Sequence, residues 1–372
     1  MKPNGAELIQ LVRGLFIITD PGRDQDDEDT LVLLNRAVRY GILEILGVVA
    51  NLAPSIERAR LARGTLKMLG QDQIPVGFGS GAGVQMLDDN SLPYEFQVGY
   101  LSPHDQIRTG EELILETLHR APSKGVILTL ISTLADAAEV LESEQQLFCE
   151  KVRRVVIMGG VRSENELPLL DPEGFLLPDP TAQNHAFDQP AADFLYKRLQ
   201  QLAVPLTVLS RHAAAAAKVD RSMYDRMAQT GHPVGIRLRD AQKKAIEHLW
   251  LRANLSAGDE RRKGLPDRCD RAWFCKAFCG GEGLERTASD SVWNLVKTFM
   301  LYDPCTLLAA MPGLREYFYS PYVHELFGAE HLVIGLSQDR HGVARPQELA
   351  EYLAHALVES LELSLPAVKA LG

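Results

Sequence analysis

The residues best placed to do chemistry are carboxylates crowded into one stretch. Asp20, Asp24, Asp26, Asp27, Glu28 and Asp29 put six acids within ten residues. Carboxylates this close repel one another, so some must take up protons or share a cation. Oxygen-only ligands at this density suit a hard cation, Ca2+ or Mg2+. An EF-hand loop fits poorly: counted from Asp20, its sixth position is Gln25 and its twelfth is Leu31, where such a loop needs Gly and Glu. The competing reading is a solvated acidic turn whose charges favour the N-terminus of a following helix.

The flanking sequence speaks for a site. Residues 15–18 form an apolar run that reads as a buried strand, and it stops at the turn signal Asp20-Pro21-Gly22. Residues 31–38 then read as a helix. A carboxylate cluster at a strand's C-terminal end, leading into a helix, lies where open α/β sheets place their ligands. Further strands are expected at 43–50, 74–79, 125–131, 152–158, 204–209 and 333–335. They alternate with helices at 55–69, 111–119, 134–141 and 190–199. This predicts an α/β fold, an open and mostly parallel sheet with helices on both faces. Its C-terminal part is more helical, at about 217–228, 235–255, 289–300, 304–310 and 346–361. Residues 84–107 look irregular, and 161–183 read as a long loop. The chain is expected to be one domain over 1–372, with the polar, Gly-containing segment 256–288 as a candidate lid or insertion.

Composition narrows the function. The 372 residues are 46% apolar and 24% charged, which is ordinary for a globular chain. A net charge of −10 speaks against a general nucleic-acid surface. Neither a signal-peptide core nor a membrane-length apolar run is present. An odd count of five cysteines in a large chain suggests reduced thiols and a cytoplasmic setting. Cys269, Cys275 and Cys279 lack Cys-x-x-Cys spacing and a paired His, so zinc is not expected. The Gly-rich residues 79–83 read as a phosphate cradle or a plain turn; no Lys-Ser/Thr follows to make a P-loop.

Asp20-Pro21-Gly22-Arg23-Asp24-Gln25-Asp26-Asp27 resembles the N-terminal signature of the nucleoside hydrolases in its longer form, Asp-x-Gly-x-Asp-x-Asp-Asp. Further similar segments follow in order. Asn51 stands after the second strand, and Thr129 to Ala135 is similar to a degraded Gly-Pro-Leu-Thr-Asn-Leu-Ala motif, with Ser132 on its Thr. Met158-Gly159-Gly160 matches a strand end of the family. Asn184 to Ala192 resembles Asn-x-x-x-Asp-Pro-x-Ala-Ala, and Tyr302-Asp303-Pro304 resembles His-Asp-Pro. Together they span roughly residues 15–310. The Arg-containing signature and Tyr-Asp-Pro are also similar to nucleoside-hydrolase-like effectors of plant-pathogenic bacteria.

The resemblance implies a Ca2+-dependent N-ribohydrolase that cleaves the N-glycosidic bond of a ribonucleoside or a 5′-substituted riboside. It implies Asp20, Asp27, Asp303 and the main-chain carbonyl of Ser132 as metal ligands, and Asp20 as general base. Asp26, Asn51, Met158, Asn184 and Tyr302 would contact substrate, with Asp26 and Asn184 on the ribose diol. Two positions depart from the family: Ala182 replaces a Glu that holds the 5′-hydroxyl, and Tyr302 replaces a leaving-group His. Tyr302 reads as a hydrogen-bond donor to the leaving group or as a packed aromatic. Asp24 reads as a solvated turn residue, Arg211 as a phosphate partner. His185 and His212 are candidates to face the pocket, His248 and Trp250 read as packing, and no histidine is taken as catalytic. The departures support a second function, a weak or inactive ribosyl-ligand binder for ADP-ribose or a nucleotide. The expected partner is a small-molecule riboside, with no nucleic acid or membrane; homo-oligomerisation stays open.

Overall fold

The computed structural model describes residues 12–81, 96–262 and 265–371, with side chains to residue 366. Part of the Gly-rich loop (82 and 83), much of the irregular stretch 84–107, and residues 263 and 264 of the candidate lid lie outside them.

The strands are β1 (Val12–Thr19), β2 (Leu43–Ala50), β3 (Val76–Phe78), β4 (Arg108–Thr109), β5 (Val126–Leu130), β6 (Val152–Gly159), β7 (Ser163–Glu164), β8 (Leu167–Pro168), β9 (Leu206–Ser210), β10 (Val219–Asp220), β11 (Thr298–Phe299), β12 (Tyr322–Leu326) and β13 (Ala329–Ile334). Nine of them form one sheet in the order β12-β13-β9-β6-β5-β1-β2-β3-β4. Every pairing in it is parallel except β12 with β13. The chain builds outward from β1 through β4 on one side. It then returns to lay β5 on β1's other side. The switch point of the sheet therefore falls between β1 and β5.

Alternation along the strands gives the sheet two apolar faces. Leu15 and Ile17 of β1 enter one core cluster, while Phe16 and Ile18 enter the other. The first face is covered by α1 (Asp26–Arg39), α2 (Ser55–Met68) and the later helices. The second is covered by α3 (Gly110–Arg120), α4 (Ala135–Ser143), α5 (Gln145–Lys151) and, after the short α6 (Gln183–Ala186), α7 (Gln189–Gln201). The chain continues through α8 (Arg211–Ala216), α9 (Ser222–Gln229), α10 (Pro233–Ala253), α11 (Arg271–Phe278), α12 (Tyr302–Ala310), α13 (Pro312–Phe318) and α14 (Pro346–Leu371).

Two expectations are corrected. Residues 289–300 are turns ending in β11, which pairs with β10. Their apolar residues Val292, Trp293, Val296 and Phe299 fall at helix-like intervals, but they reach the core from a loop. The stretch 161–183 is not wholly loop, since it holds the β7–β8 ribbon and ends at the first residue of α6. Residues 256–288 contain α11, whose Phe274, Cys275 and Phe278 are buried in the larger cluster, with Phe274 against Trp250 of α10. Among the described residues, no helix is long and apolar enough to cross a membrane.

Candidate metal and ribosyl site

The C-terminal ends of the central strands meet at the switch point. β1 delivers Asp20, β2 delivers Asn51, β5 leads to Ser132, and β6 ends at Met158-Gly159. Thr19 Oγ1 donates to Asp27 Oδ1 at 2.5 Å, and the Asp20 N–H donates to the same oxygen at 2.8 Å. These bonds fix the first turn of α1 over the end of β1. Asp26 Oδ2 accepts the N–H groups of Tyr302 at 3.2 Å and Asp303 at 3.4 Å. So the first turns of α1 and α12 are tied together. Carboxylate oxygens of Asp26, Asp27 and Asp303 all lie within 4.8 Å of one another. That set holds Asp26, which the resemblance assigned to the ribose, and does not include Asp20.

Electrostatics show what the cluster lacks. Burial pushes Asp20 up to about 6 against the pull of Arg58. Burial, then the charge of Asp24, pushes Asp26 up to about 7. Asp27 and Asp303 are raised well above the carboxylate range by burial and by their acidic neighbours. Two helix N-termini offset part of this charge. The donor set is oxygen-only, buried and short of positive charge, and it fits a hard divalent cation.

Several supporting residues were not read from sequence. Arg58 is 2% exposed, and its Nη1 donates to the carbonyls of Asp20 at 2.6 Å and Pro21 at 3.0 Å. Arg237 of α10 meets Glu28 at 2.8 Å, and Tyr224 donates to Asp29 at 2.7 Å. Glu28 and Asp29 thus serve α1's attachment to its neighbours. Asp136 accepts from Asn51 Nδ2 at 2.7 Å and from the Ser80 N–H at 2.8 Å. A charge at 136 between alanines was the sequence signal for Asp136. Arg58 also carried one, since it shares a helical stripe with Leu61, Ala62 and Thr65.

The other expected residues divide into groups. Asn51 is fully buried: Nδ2 also donates to the Thr133 carbonyl at 3.0 Å, and Oδ1 accepts from Ser132 Oγ at 2.5 Å. Its amide holds the ends of β2 and β5 together. Gly79 is needed beside it, because a Cβ there would lie 2.5 Å from Asp136 Oδ1. The Ser80 N–H of the Gly-rich loop is thereby committed to Asp136. Asn184, half-buried, donates to the Met158 carbonyl at 3.2 Å. Tyr302 is half-buried; its hydroxyl lies 3.3 Å from Met300 Sδ, and burial raises its pKa. His185 is a packing residue: fully buried, it meets the Asp179 carbonyl at 2.8 Å and the Tyr196 hydroxyl at 3.2 Å. His212 is half-buried next to Arg211.

The sequence matches no protein-family model and no curated protein. Solved structures do match. The type III effector protein XopQ, crystallised with adenosine diphosphate ribose, is 31% identical over 97% of this chain and 99% of its own, with a TM-score of 0.78. The effector protein XOO4466 is 31% identical over 96% of this chain and 97% of its own, with a TM-score of 0.77. A purine-preferring ribonucleoside hydrolase from Gardnerella vaginalis shares the fold at 13% identity, 94% and 99% coverage and a TM-score of 0.58. The chain belongs to the nucleoside hydrolase family. Within it, the chain falls in the branch of the XopQ-like effectors, and it shares the fold of the ribonucleoside hydrolases.

Proposed function

We propose that the chain is a Ca2+-dependent N-ribohydrolase, which cleaves the N-glycosidic bond of a riboside with water. The supporting observation is the convergence of Asp26, Asp27 and Asp303 at the sheet's switch point, with Asp20 on the adjoining strand end. Asp27 and Asp303, with Asp20 and the Ser132 carbonyl, would hold the cation, and Asp26 is near enough to join them. A bound Ca2+ would supply the positive charge that orients a water and lowers its pKa.

The remaining work falls to side chains. Asp20, with a pKa near 6, is mostly ionised at neutral pH and suits the general base. Bond cleavage builds positive charge on the ribose, and the surrounding carboxylates favour that charge. Asp26 and Asn184 would bind the ribose diol. Tyr302 stands at the leaving-group side, but its raised pKa makes it a poor acid. Substrates with good leaving groups should therefore react faster than ordinary nucleosides. We take residues 256–288 as a cover over the site within a single domain.

A second reading, ribosyl binding without turnover, is favoured by Tyr302 and by the adenosine diphosphate ribose bound to XopQ. Incubation of the full chain with Ca2+ and nitrophenyl riboside separates the two. Turnover exceeding that of inosine supports the hydrolase. Calorimetric binding of ADP-ribose, with no turnover of either riboside, supports the binder. Neither binding nor turnover would sink both.

A further inference from the structure

Behind the carboxylate triad stands a further buried acid whose contacts run toward the site and not into its own helix. Asp136 lies in the first turn of α4, where an acid ordinarily serves as a favourable charge at a helix N-terminus. Here it is only 6% exposed, and its oxygens reach two other segments. Oδ1 accepts the Ser80 N–H at 2.8 Å. Oδ2 accepts Asn51 Nδ2 at 2.7 Å and the Ser80 hydroxyl at 3.1 Å.

A carboxylate can only accept, so it settles which end of the Asn51 amide faces it. The NH2 group turns to Asp136, and Nδ2 also donates to the Thr133 carbonyl at 3.0 Å. Both amide hydrogens are then spent. Oδ1 is left to Ser132, whose hydroxyl donates to it at 2.5 Å. The amide thus grips residues 132 and 133 from two sides, as acceptor to one and donor to the other. Turned over, it would set Oδ1 against two acceptors, Asp136 and the Thr133 carbonyl. Asn51, Ser132 and Thr133 are all fully buried, so no such mismatch could be relieved by solvent. An Asn at 136 could present its own NH2 to Asn51 and relax the choice. We propose that Asp136 is a positioning residue of the metal site: by setting the Asn51 amide, it holds the 132–133 turn so that the Ser132 carbonyl is presented to a cation. This rests on the metal reading above, in which that carbonyl is a ligand. Groups that orient ligands without touching the metal change its affinity by about 10- to 100-fold when replaced.

Ca2+ alone is the probe, titrated calorimetrically into the chelator-treated full chain. Asp136→Asn keeps the shape of the side chain and should weaken Ca2+ about 10-fold or more. The variant also removes a charge, so Glu139→Gln, one turn further along α4 and exposed, is the control. It should change affinity by less than about twofold, because exposed charge is screened. Asn51→Ala should weaken Ca2+ at least as much as Asp136→Asn. Adding Asp136→Asn to Asn51→Ala should cost no further affinity, since the effect passes through the amide. Unchanged Ca2+ affinity in Asp136→Asn, with or without a fall in Tm, would assign Asp136 to tying its loops alone and overturn the inference. Equal weakening by Glu139→Gln, or the same loss with and without Asn51, would reduce Asp136 to a charge acting at a distance and overturn it too. A wild type that binds no Ca2+ would overturn the metal reading, and this inference with it.

Discussion

At the scale of single residues, charge and shape can be separated. Asp27 accepts from Thr19 and from the Asp20 N–H, and it belongs to the carboxylate triad. Asp27→Asn keeps an acceptor for those donors but removes the charge. We expect it to fold and to lose the stabilisation expected of Ca2+ in the wild type, about 2.7 kcal/mol at a hundredfold excess over Kd, read as a rise in Tm. A calorimetric titration showing unchanged Ca2+ affinity would remove Asp27 from the ligand set. Asp20→Asn should lower turnover of nitrophenyl riboside by a factor on the order of 100 or more, the range for a lost general base. Wild-type turnover in that variant would disprove the role. The sequence showed that carboxylates cluster here, but not which of them converge. Neighbours in a helical first turn point about 100° apart, so the rotation of α1, set by Thr19 and the Asp20 N–H, decides that Asp26 and Asp27 face Asp303. Arg58 was half legible, because its apolar stripe marked it as inward-facing but not the carbonyls of Asp20 and Pro21 that it meets.

At the scale of elements, α10 attaches Arg237 to Glu28 behind the site, and its N-terminus depends on a neutral histidine. His232 is fully buried. Its Nδ1 accepts from the Val234 N–H at 3.2 Å, while Nε2 lies 3.2 Å from the Met68 carbonyl and donates to it. Protonating Nδ1 would break the cap. Burial depresses the pKa from 6.5 to about 4. A depressed histidine pKa means that the unfolded chain binds more protons below 6.5. Its stabilising contribution is therefore present above that pH and is lost as pH falls toward 4, at about 1.4 kcal/mol per pH unit. His232→Asn keeps a good cap and cannot titrate. The expected outcome is a flatter loss of Tm between pH 6.5 and 4 than in the wild type; parallel Tm curves would show that His232 does not govern it. The elements most legible in the sequence were the central strands, whose apolar runs are buried on both faces. Strand β12 was not legible: it alternates half-buried with exposed residues at the sheet edge, so no buried face marks it. Residues 289–300 misled for the opposite reason, since core-directed loop residues imitated a helical stripe.

At the scale of the whole molecule, the same carboxylates that suit a cation penalise the fold without one. Chelator treatment at neutral pH should lower Tm, and added Ca2+ should restore it, read by differential scanning fluorimetry; a Tm indifferent to both would argue that the triad holds no ion in solution. The order of strand ends was legible because each segment ended in its own local signal. Their convergence was not, because it depends on the chain leaving β1 in one direction and returning on the other side as β5. That path also has a consequence for synthesis. Tyr302 and Asp303 meet Asp26 across 276 and 277 residues of chain. A ribosome releases the N-terminal segments first, so Asp20, Asp26 and Asp27 emerge long before their partner. Any nascent chain halted ahead of residue 303 carries an acid-rich strand end without the Asp303 that closes the triad. The proposed ion pocket can only be completed late in translation, and a truncated message would yield a chain that has the acidic signature but not the carboxylate triad.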